Sequence, residues 1–389
     1  MTALVMSAKA GFFVSTRYLR DLGPAKLILF LALVGLTLTG VETRGIIAAA
    51  IADAYLQVSV FVAATLGAIY TIEHYTKTDI AKVLDRHRRI QVPIAAVLGA
   101  LPGCGGAVAV VTQYVRGTIG FGSLVAVLTA TMGDAAFLLL AAQPLTGLGI
   151  FVLGALVGII SGYAIDALHG PGFLRVARTE VDYAPPQAAS ARINPLRPIW
   201  MLLVVPGFVL GVLDLLTIDT DALFGPLAAH APTQILGVTG ALLAFAMWTL
   251  DPALRFDPGV ARCASPAVRT IDTTNFVTVW VIVGFLVYEL GIHFTGIDLA
   301  ALFNTWAPLI PLLAVLIGFL PGCGPQIVVT TLYIADTMPL SGQLGNAISN
   351  DGDALFPALA IAPKAAAVAT LYSAVPALLV AYGCFVLFE

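Results

Sequence analysis

The chain consists of long apolar runs separated by short polar stretches. Runs such as LILFLALVGLTLTG and LLVVPGFVLGVLDLL lack the polar stripe of a soluble amphipathic helix. They do not alternate with a period of two either, so they predict membrane-spanning α-helices rather than barrel strands. Nine such helices are expected, at 27–42, 56–76, 121–142, 145–167, 199–217, 233–250, 275–294, 342–362 and 365–387.

Two further apolar segments, 90–116 and 306–335, are interrupted at their centres by one motif. It reads PGCGG at residues 102–106 and PGCGP at residues 321–325. Glycine permits a sharp turn and a close approach to a ligand, and proline suits a helix boundary. Backbone that leaves the helical hydrogen-bonding pattern is tolerated at membrane depth only where protein or water surrounds it. We therefore expect two structural hairpin tips, formed by Pro102, Gly103, Gly105, Pro321, Gly322 and Gly324.

The two motifs belong to an internal repeat. With a constant offset of 219 residues and no gap, residues 99–144 match residues 318–363 at 17 of 46 positions. The matches include Pro, Cys, Tyr, Asp and Phe, which carry more weight in an apolar sequence than shared Ala and Leu. The sequence therefore predicts four units. A cytoplasmic N-terminal segment (1–24) is followed by the first membrane repeat (25–167), a cytoplasmic linker (168–197) and the second membrane repeat (198–389).

The positions of lysine and arginine indicate how the interrupted segments meet the membrane, because cytoplasmic loops collect these residues. If both segments cross, 10 of the 19 basic residues lie inside and 9 outside, which is no bias. If both are re-entrant hairpins, 18 of the 19 lie inside and only Arg44 lies outside. The hairpin arrangement makes the two repeats inverted, with a cytoplasmic N-terminus and an external C-terminus. The expected fold is an all-α polytopic membrane protein with two inverted repeats, nine to ten transmembrane helices and two re-entrant PGCG hairpins.

Composition and charge exclude several classes of function. Hydrophobic residues make up 59% of the chain, charged residues only 11%, and the formal net charge is -3. So small a charge does not indicate nucleic-acid binding, and the 4 cysteines do not form a secreted disulfide framework. We expect an integral protein of the cytoplasmic (inner) membrane. Its expected partners are the lipid bilayer, a small inorganic ion and a coupling proton or sodium ion, with no cofactor and a homodimer as one possible assembly.

Thiol and ionisable side chains inside the apolar segments are candidate ion ligands. An ionisable group at membrane depth is costly and marks function by default. Asp134 and Asp353 occupy equivalent positions in the repeats and are expected mid-helix, and each hairpin tip carries a cysteine. The predicted substrate- or metal-binding residues are Cys104, Cys323, Asp134, Asp353, Asp351 and Asn350.

Secondary or coupling candidates have simpler explanations that remain open. Glu73, His74 and Glu289 lie near predicted helix ends, where they would be interfacial. Thr112 and Thr331 occupy equivalent positions, where a threonine also bonds back to its own helix. The last of these candidates is Gln326, just after the second motif.

The type of ion remains open at this point. Thiolates suit zinc, copper(I) and thiophilic metalloids, whereas carboxylates and amides suit manganese and magnesium. A single cysteine per hairpin is not a closed structural zinc site. The helices expected to begin at Gly105 and Gly324 would direct free N–H groups toward the tips, which favours an oxyanion.

The paired PGCG motifs, the GD-containing segments after them and the charged linker resemble the ten-transmembrane heavy-metal exporter family. This family is arsenic-permease-like, and some of its members are labelled manganese transporters. The resemblance covers about residue 25 to the C-terminus, with its specificity concentrated in 99–144 and 318–363. It implies export of a heavy-metal or metalloid ion, with a divalent metal such as manganese favoured. The sequence predicts nine full spans, whereas the family has ten, so the assignment of one short segment, 44–55, is in doubt. We interpret this segment as an external amphipathic stretch.

A secondary transporter is the expected function. The chain has no Walker A pattern, so ATP hydrolysis by that route is not expected. A proton or sodium gradient would drive alternating access, with Asp134 and Asp353 as coupling carboxylates for which metal and protons compete. The alternatives are an oxyanion (arsenite-type) permease or channel, and an intramembrane aspartyl hydrolase that uses the same two aspartates. We expect that the chain is not an enzyme.

Overall fold

The computed structural model describes most of the chain, and its regular structure there is helical, with no strand among the described residues. The predicted segment 1–24 and nearly all of the apolar run 27–42 lie outside the described residues, as does Pro321. The described residues are 41–76, 88–170, 172–176, 196–216, 218–250, 265–296, 298, 300–303, 306–320 and 322–389.

The described part of the first half, from Val41 to His169, begins with one long helix. Its two parts, α1 and α2, are joined without a break by a π-helical segment, Ala54–Ser59. The α-helices among the described residues of this half are α1 (Val41–Asp53), α2 (Val60–Thr76), α3 (Arg88–Ala100), α4 (Gly105–Val115), α5 (Phe121–Ala130), α6 (Ala135–Ala142) and α7 (Pro144–His169).

The second half, from Leu196 onward, adds short 3₁₀ helices at Asp221–His230, Ala301–Phe303 and Ala307–Leu309. Its α-helices are α8 (Leu196–Leu215), α9 (Pro232–Leu250), α10 (Pro266–Thr295), α11 (Ile310–Gly318), α12 (Gly324–Ile334), α13 (Leu340–Ser349), α14 (Leu355–Ile361) and α15 (Pro363–Phe388).

The helix boundaries repeat along the chain with the offset of the sequence repeat. Helices α4 and α12 begin and end 219 residues apart, and so do α5 and α13, and α7 and α15. Proline opens α7 and α15 at Pro144 and Pro363, because a missing N–H is harmless in the first helical turn. The repeated residues therefore place helix boundaries at equivalent positions in both halves.

Six helical segments are long and apolar enough to cross a membrane within the described part of the chain, or seven if a strongly bent pair counts as one span. The bent pair is Asp221–His230 with Pro232–Thr249. The six are Thr43–Thr76, Phe121–Ala142, Pro144–His169, Leu196–Asp214, Pro266–Thr295 and Pro363–Phe388. Three of the segments that flank the PGCG motifs are shorter apolar helices: Ile90–Ala100, Gly105–Val115 and Ala307–Gly318.

The interpretation of 44–55 as an external stretch is wrong. This segment lies within α1 and the π-helical segment, and Ile47, Ala54 and Tyr55 are buried in the main core. The run of alanine and isoleucine continues the apolar face of α2 and packs against α9 and α10. Its 34-residue helix is about 50 Å long, more than a 30 Å hydrocarbon layer needs.

The expectation that Asp134 and Asp353 lie mid-helix is also wrong. The predicted helix 121–142 is divided into α5 and α6, and the predicted helix 342–362 is divided into α13 and α14. Each aspartate lies in the break, directly after a glycine with positive φ. The predicted helix at 275–294 begins earlier than expected, at Pro266.

Close helix packing by small residues holds α7 and α15 against the rest of their halves. On α7 a Cβ added at Gly158 would lie 2.6 Å from Ala126 O of α5, so only glycine permits this approach. The same face of α7 carries Gly154 and Gly162, each one turn away. Equivalent positions on α15 are small as well: Ser373, Ala377 and Ala381, all buried.

Helices from both halves meet at the centre of the fold. Helix α4 packs against α14 of the other half, and α12 packs against α6 in the same manner. Helices α2 and α10 pack against each other as well. The breaks before α4, α6, α12 and α14 are thereby brought together in the interior.

Candidate ion-binding site

Four side chains converge where the two halves meet: Cys104, Asp134, Cys323 and Asp353. One ligand atom from each, a sulfur or a carboxylate oxygen, lies within 4.8 Å of all the others. All four residues are buried. Because each half contributes one thiol and one carboxyl, the group exists only where the halves are in contact.

A repeated backbone device positions these side chains. Each ligand residue directly follows a glycine with positive φ, a conformation that other residues rarely adopt. The chain can therefore leave one helix and enter the next within about four residues. Cys104, Cys323 and Asp134 occupy the N-cap positions of α4, α12 and α6. The glycines are Gly103, Gly133, Gly322 and Gly352, with φ of 89°, 57°, 123° and 51°.

The N-termini of these helices make the site electropositive at the backbone level. A helix N-terminus carries roughly half a positive charge and unpaired N–H groups. Three such ends, those of α4, α6 and α12, begin at the ligand residues. Such ends attract negative charge, and ionised thiols and carboxyls are the forms that bind metal ions.

The distances between ligand atoms are close to those of a metal coordination shell. The two Sγ atoms are 3.5 Å apart, and both thiols donate to Asp353 Oδ2, from 3.3 Å for Cys104 and 2.8 Å for Cys323. Around a tetrahedral metal with metal–sulfur bonds of about 2.3 Å, two sulfur atoms lie about 3.8 Å apart. The sulfur atoms therefore need to move only a few tenths of an ångström to share one ion.

Several oxygen atoms at the site have no hydrogen-bond partner among the described residues. They include both carboxylate oxygens of Asp134 and the second oxygen of Asp353, Oδ1. Buried polar atoms are paired in nearly all proteins, so unpaired ones indicate a missing ligand or ion. These three atoms belong to the four-residue group, which makes that group the best candidate for a binding site among the described residues.

The additional polar residues of the second half divide between two places. Gln326 donates from Nε2 to Asn350 Oδ1, and both residues are buried beside the four-residue group. Asp351 is buried too, but it accepts a hydrogen bond from Thr370 of α15. The structure therefore brings Gln326 close to the thiols, while Asp351 is outside the group of four.

One comparison with known proteins identifies the family. A family model described as "Putative, 10TM heavy-metal exporter" matches residues 42–388. The chain belongs to this family. None of the curated proteins matches the chain, and no solved structure does.

The membership agrees with the helical structure. A heavy-metal exporter of ten transmembrane helices is an integral membrane protein, as the apolar helices of this chain require. The family description names a transport activity and no enzymatic one. The four-residue group lies within the region that matches the heavy-metal exporter family.

The secondary candidates lie in varied environments. Glu73 forms an ion pair with Arg269, with Oε2 and Nη2 3.0 Å apart, and His74 is exposed at the end of α2. Glu289 is partly buried in α10. The equivalent threonines differ, since Thr112 is buried with an unpaired hydroxyl whereas Thr331 is exposed and bonds back to Ile327 O.

Sequence reasoning missed the polar cluster around Arg269. Its guanidinium lies 4.0 Å from the centroid of the Tyr70 ring, and Arg116 donates to Thr273 Oγ1 over 3.0 Å. These side chains come from α2, the end of α4 and the start of α10, far apart in the sequence. The available signal was the pair of arginines at the edges of apolar segments, together with Glu73 in the last turn of α2.

Proposed function

We propose that the chain is a secondary active transporter that exports a heavy-metal or metalloid ion from the cytoplasm, with a divalent metal favoured. The observation that carries this proposal is the buried group of two thiols and two carboxyls between the halves. Thiolate and carboxylate together suit borderline metal ions better than purely hard or purely soft ones. The family description supports export of heavy metals as the activity.

The charge of the ligands favours a cation over an oxyanion. Two carboxylates at about 4 Å would each repel a bound anion by about 4 kcal/mol at an effective dielectric constant of about 20. They would attract a divalent cation instead. The helix N-termini reduce this preference, because unpaired N–H groups also bind oxyanions. An oxyanion permease of the arsenite type therefore stays as the second candidate function.

The proposed topology has two inverted repeats whose PGCG segments enter the membrane as re-entrant hairpins. Helices α3 and α4 pack side by side, and Gly106 of α4 touches Leu98 O of α3 so closely that a Cβ would overlap it. A chain that continued straight through the break could not make this contact. Eighteen of the 19 lysines and arginines lie on the cytoplasmic side in this arrangement, which places the N-terminus inside and the C-terminus outside.

Contacts between equivalent residues support a symmetric arrangement of the halves. Cys104 touches Cys323, and Thr278 Oγ1 donates to Ser59 Oγ over 2.7 Å, each pair being 219 residues apart. Equivalent residues touch only near the axis that relates the two halves. Both contacts support a pseudo-two-fold axis through the ion site, as in transporters built from inverted repeats.

Proton or sodium exchange at the carboxyls is the proposed coupling. The four ligands are almost entirely buried, so ions reach them only when the halves move apart on one side. Protonation of Asp134 or Asp353 would remove a charged ligand and release the metal. Binding of a new metal ion would displace the proton, which makes the exchange an antiport in the inner membrane.

Flux in sealed liposomes tests the proposal. The purified protein is reconstituted with a metal-sensitive dye inside and given Cd²⁺, Zn²⁺, Mn²⁺ or arsenite under an imposed proton or sodium gradient. We expect uphill accumulation of divalent metal that is lost in Asp353→Asn. Cys384→Ser is the matched control, because Cys384 is also a buried free thiol but belongs to another cluster. Movement of arsenite without any divalent metal would contradict the metal-cation proposal, and flux that only runs downhill would indicate a channel.

A further inference from the structure

Gln326 is a buried amide whose two ends have different surroundings. Its Nε2 donates to Asn350 Oδ1, whereas its Oε1 has no hydrogen-bond partner in the described part of the chain. The residue has no exposed surface. Burial of a carbonyl oxygen without a hydrogen-bond partner costs free energy, so a ligand is expected to bind this atom.

The unpaired oxygen faces the two thiols across the space beside Gly133. A methyl group added at Gly133 would lie 3.3 Å from Gln326 Oε1, 3.5 Å from Cys104 Sγ and 3.6 Å from Cys323 Sγ. One point in this space is therefore shared by an amide oxygen and both sulfur atoms. The point is only about 1.5 Å from Gly133 Cα, so a bound ion would lie farther from Gly133, between the amide oxygen and the two sulfur atoms, with metal–sulfur bonds of about 2.3 Å and metal–oxygen bonds of about 2.0–2.2 Å.

We propose that Gln326 Oε1 is a fifth ligand of the transported ion, which binds in the space beside Gly133. This inference rests on the proposed function and narrows its substrate class to borderline divalent cations such as zinc, cadmium and cobalt. Such ions accept a mixed set of two sulfur and three oxygen ligands. Asn350 is a positioning residue, because its hydrogen bond holds the amide with the oxygen toward the thiols.

Only the second half supplies this ligand. The positions 219 residues earlier hold Ala107 and Thr131, which replace Gln326 and Asn350. An amide adds a ligand without adding charge, and it does not take up a proton when the carboxyls do. The ion therefore keeps one oxygen ligand on the second half while protons exchange at the aspartates.

Titration of the purified, detergent-solubilised full chain with Co²⁺ tests this ligand. Thiolate-to-cobalt charge-transfer absorption reports sulfur binding, and the visible d–d bands become stronger when five-coordinate cobalt becomes four-coordinate. In Gln326→Ala we expect the charge-transfer band to persist, the d–d bands to strengthen and the affinity for Co²⁺ to fall about tenfold or more. Gln326→Glu restores an oxygen ligand, so it should return the spectrum toward that of the wild type.

Two control variants separate ligand loss from loss of packing. Gln343→Ala removes another fully buried amide, one that hydrogen-bonds to Thr330 instead, and should leave the cobalt spectrum unchanged. Gly133→Ala should abolish Co²⁺ binding by filling the space. Gly296 has a similar φ of 64° and no atom of the described residues within 4 Å of an added Cβ, so Gly296→Ala should leave Co²⁺ binding unchanged.

The outcomes distinguish this inference from the proposed function on which it rests. If wild-type protein shows no charge-transfer band, the metal site itself is refuted and the fifth ligand with it. If wild-type protein shows the band and Gln326→Ala binds Co²⁺ with an unchanged spectrum and affinity, only the fifth ligand is refuted. The metal site and the transport proposal would then still stand.

Discussion

Replacing Cys104 by serine tests whether sulfur atoms bind the cargo. Serine is similar in size and keeps a hydrogen-bonding group, but a hydroxyl is a poor ligand for a thiophilic ion. Cys104 Sγ lies 3.5 Å from Cys323 Sγ and 3.3 Å from Asp353 Oδ2, and the residue is only 2% exposed. The substitution therefore removes one of the four thiol and carboxyl ligands without opening the site to solvent.

The size of the effect follows from the number of ligands. Four-ligand zinc sites bind with about 10–16 kcal/mol, or about 3 kcal/mol per ligand if the energy is shared evenly. At about 1.4 kcal/mol per factor of ten, Cys104→Ser should weaken Cd²⁺ binding about 100-fold. Mn²⁺ prefers oxygen ligands, so its binding should weaken less than about tenfold.

Half-saturating concentrations of Cd²⁺ and Mn²⁺ for flux into liposomes, together with equilibrium binding in detergent, measure this difference. Cys323→Ser should behave as Cys104→Ser does, because the two thiols are equivalent in the site. Cys384→Ser should leave both ions unaffected, since its thiol lies in a separate cluster. Equal losses for Cd²⁺ and Mn²⁺ in the two site variants would show that the sulfur atoms support the structure and do not bind the cargo.

Three further predictions concern coupling, packing and cargo binding. Asp134→Asn and Asp353→Asn should each abolish metal accumulation driven by a pH gradient; gradient-driven flux that persists in both would remove the carboxyls from the coupling step. Gly284→Ala should destabilise the protein by about 1–3 kcal/mol because its Cβ would overlap the Phe356 ring, whereas Gly291→Ala on the same helix has free space and should not. Cd²⁺ at 100 times its dissociation constant should stabilise the protein by about 2.7 kcal/mol in thermal unfolding, reversibly on chelation; an unchanged midpoint would contradict specific binding.

The repeat made the helix order readable from the sequence. Pro144 and Pro363 open equivalent helices, and a glycine and a cysteine precede α4 and α12 in both halves. These are local signals, since proline and glycine act on the backbone of their own turn. The offset of 219 residues then transfers each assignment from one half to the other.

The breaks at the two aspartates could not be read in the same way. Hydropathy averages over a window longer than the break, and Thr131–Asp134 is flanked by alanine and leucine that favour a continuous helix. The signal was present in the repeated Gly-Asp pair, where Gly133 and Gly352 adopt positive φ. Distinguishing a glycine that breaks a helix from one that packs closely, such as Gly158, requires the neighbouring helix, which the sequence does not show.

The division of the ligands between the halves gives a physical reason for coupling ion binding to motion. On the proposed mechanism, one thiol and one carboxyl come from each half, so an ion at the centre holds the halves together. Separation of the halves on either side costs the ion about half of its ligands, unless protons have neutralised the carboxyls first. Gln326 makes the division unequal by adding a ligand to the second half alone. An ion that loses its ligands from the first half would thus remain bound to the second half. The difference in sequence between the two halves would therefore determine the order in which the ion loses its ligands.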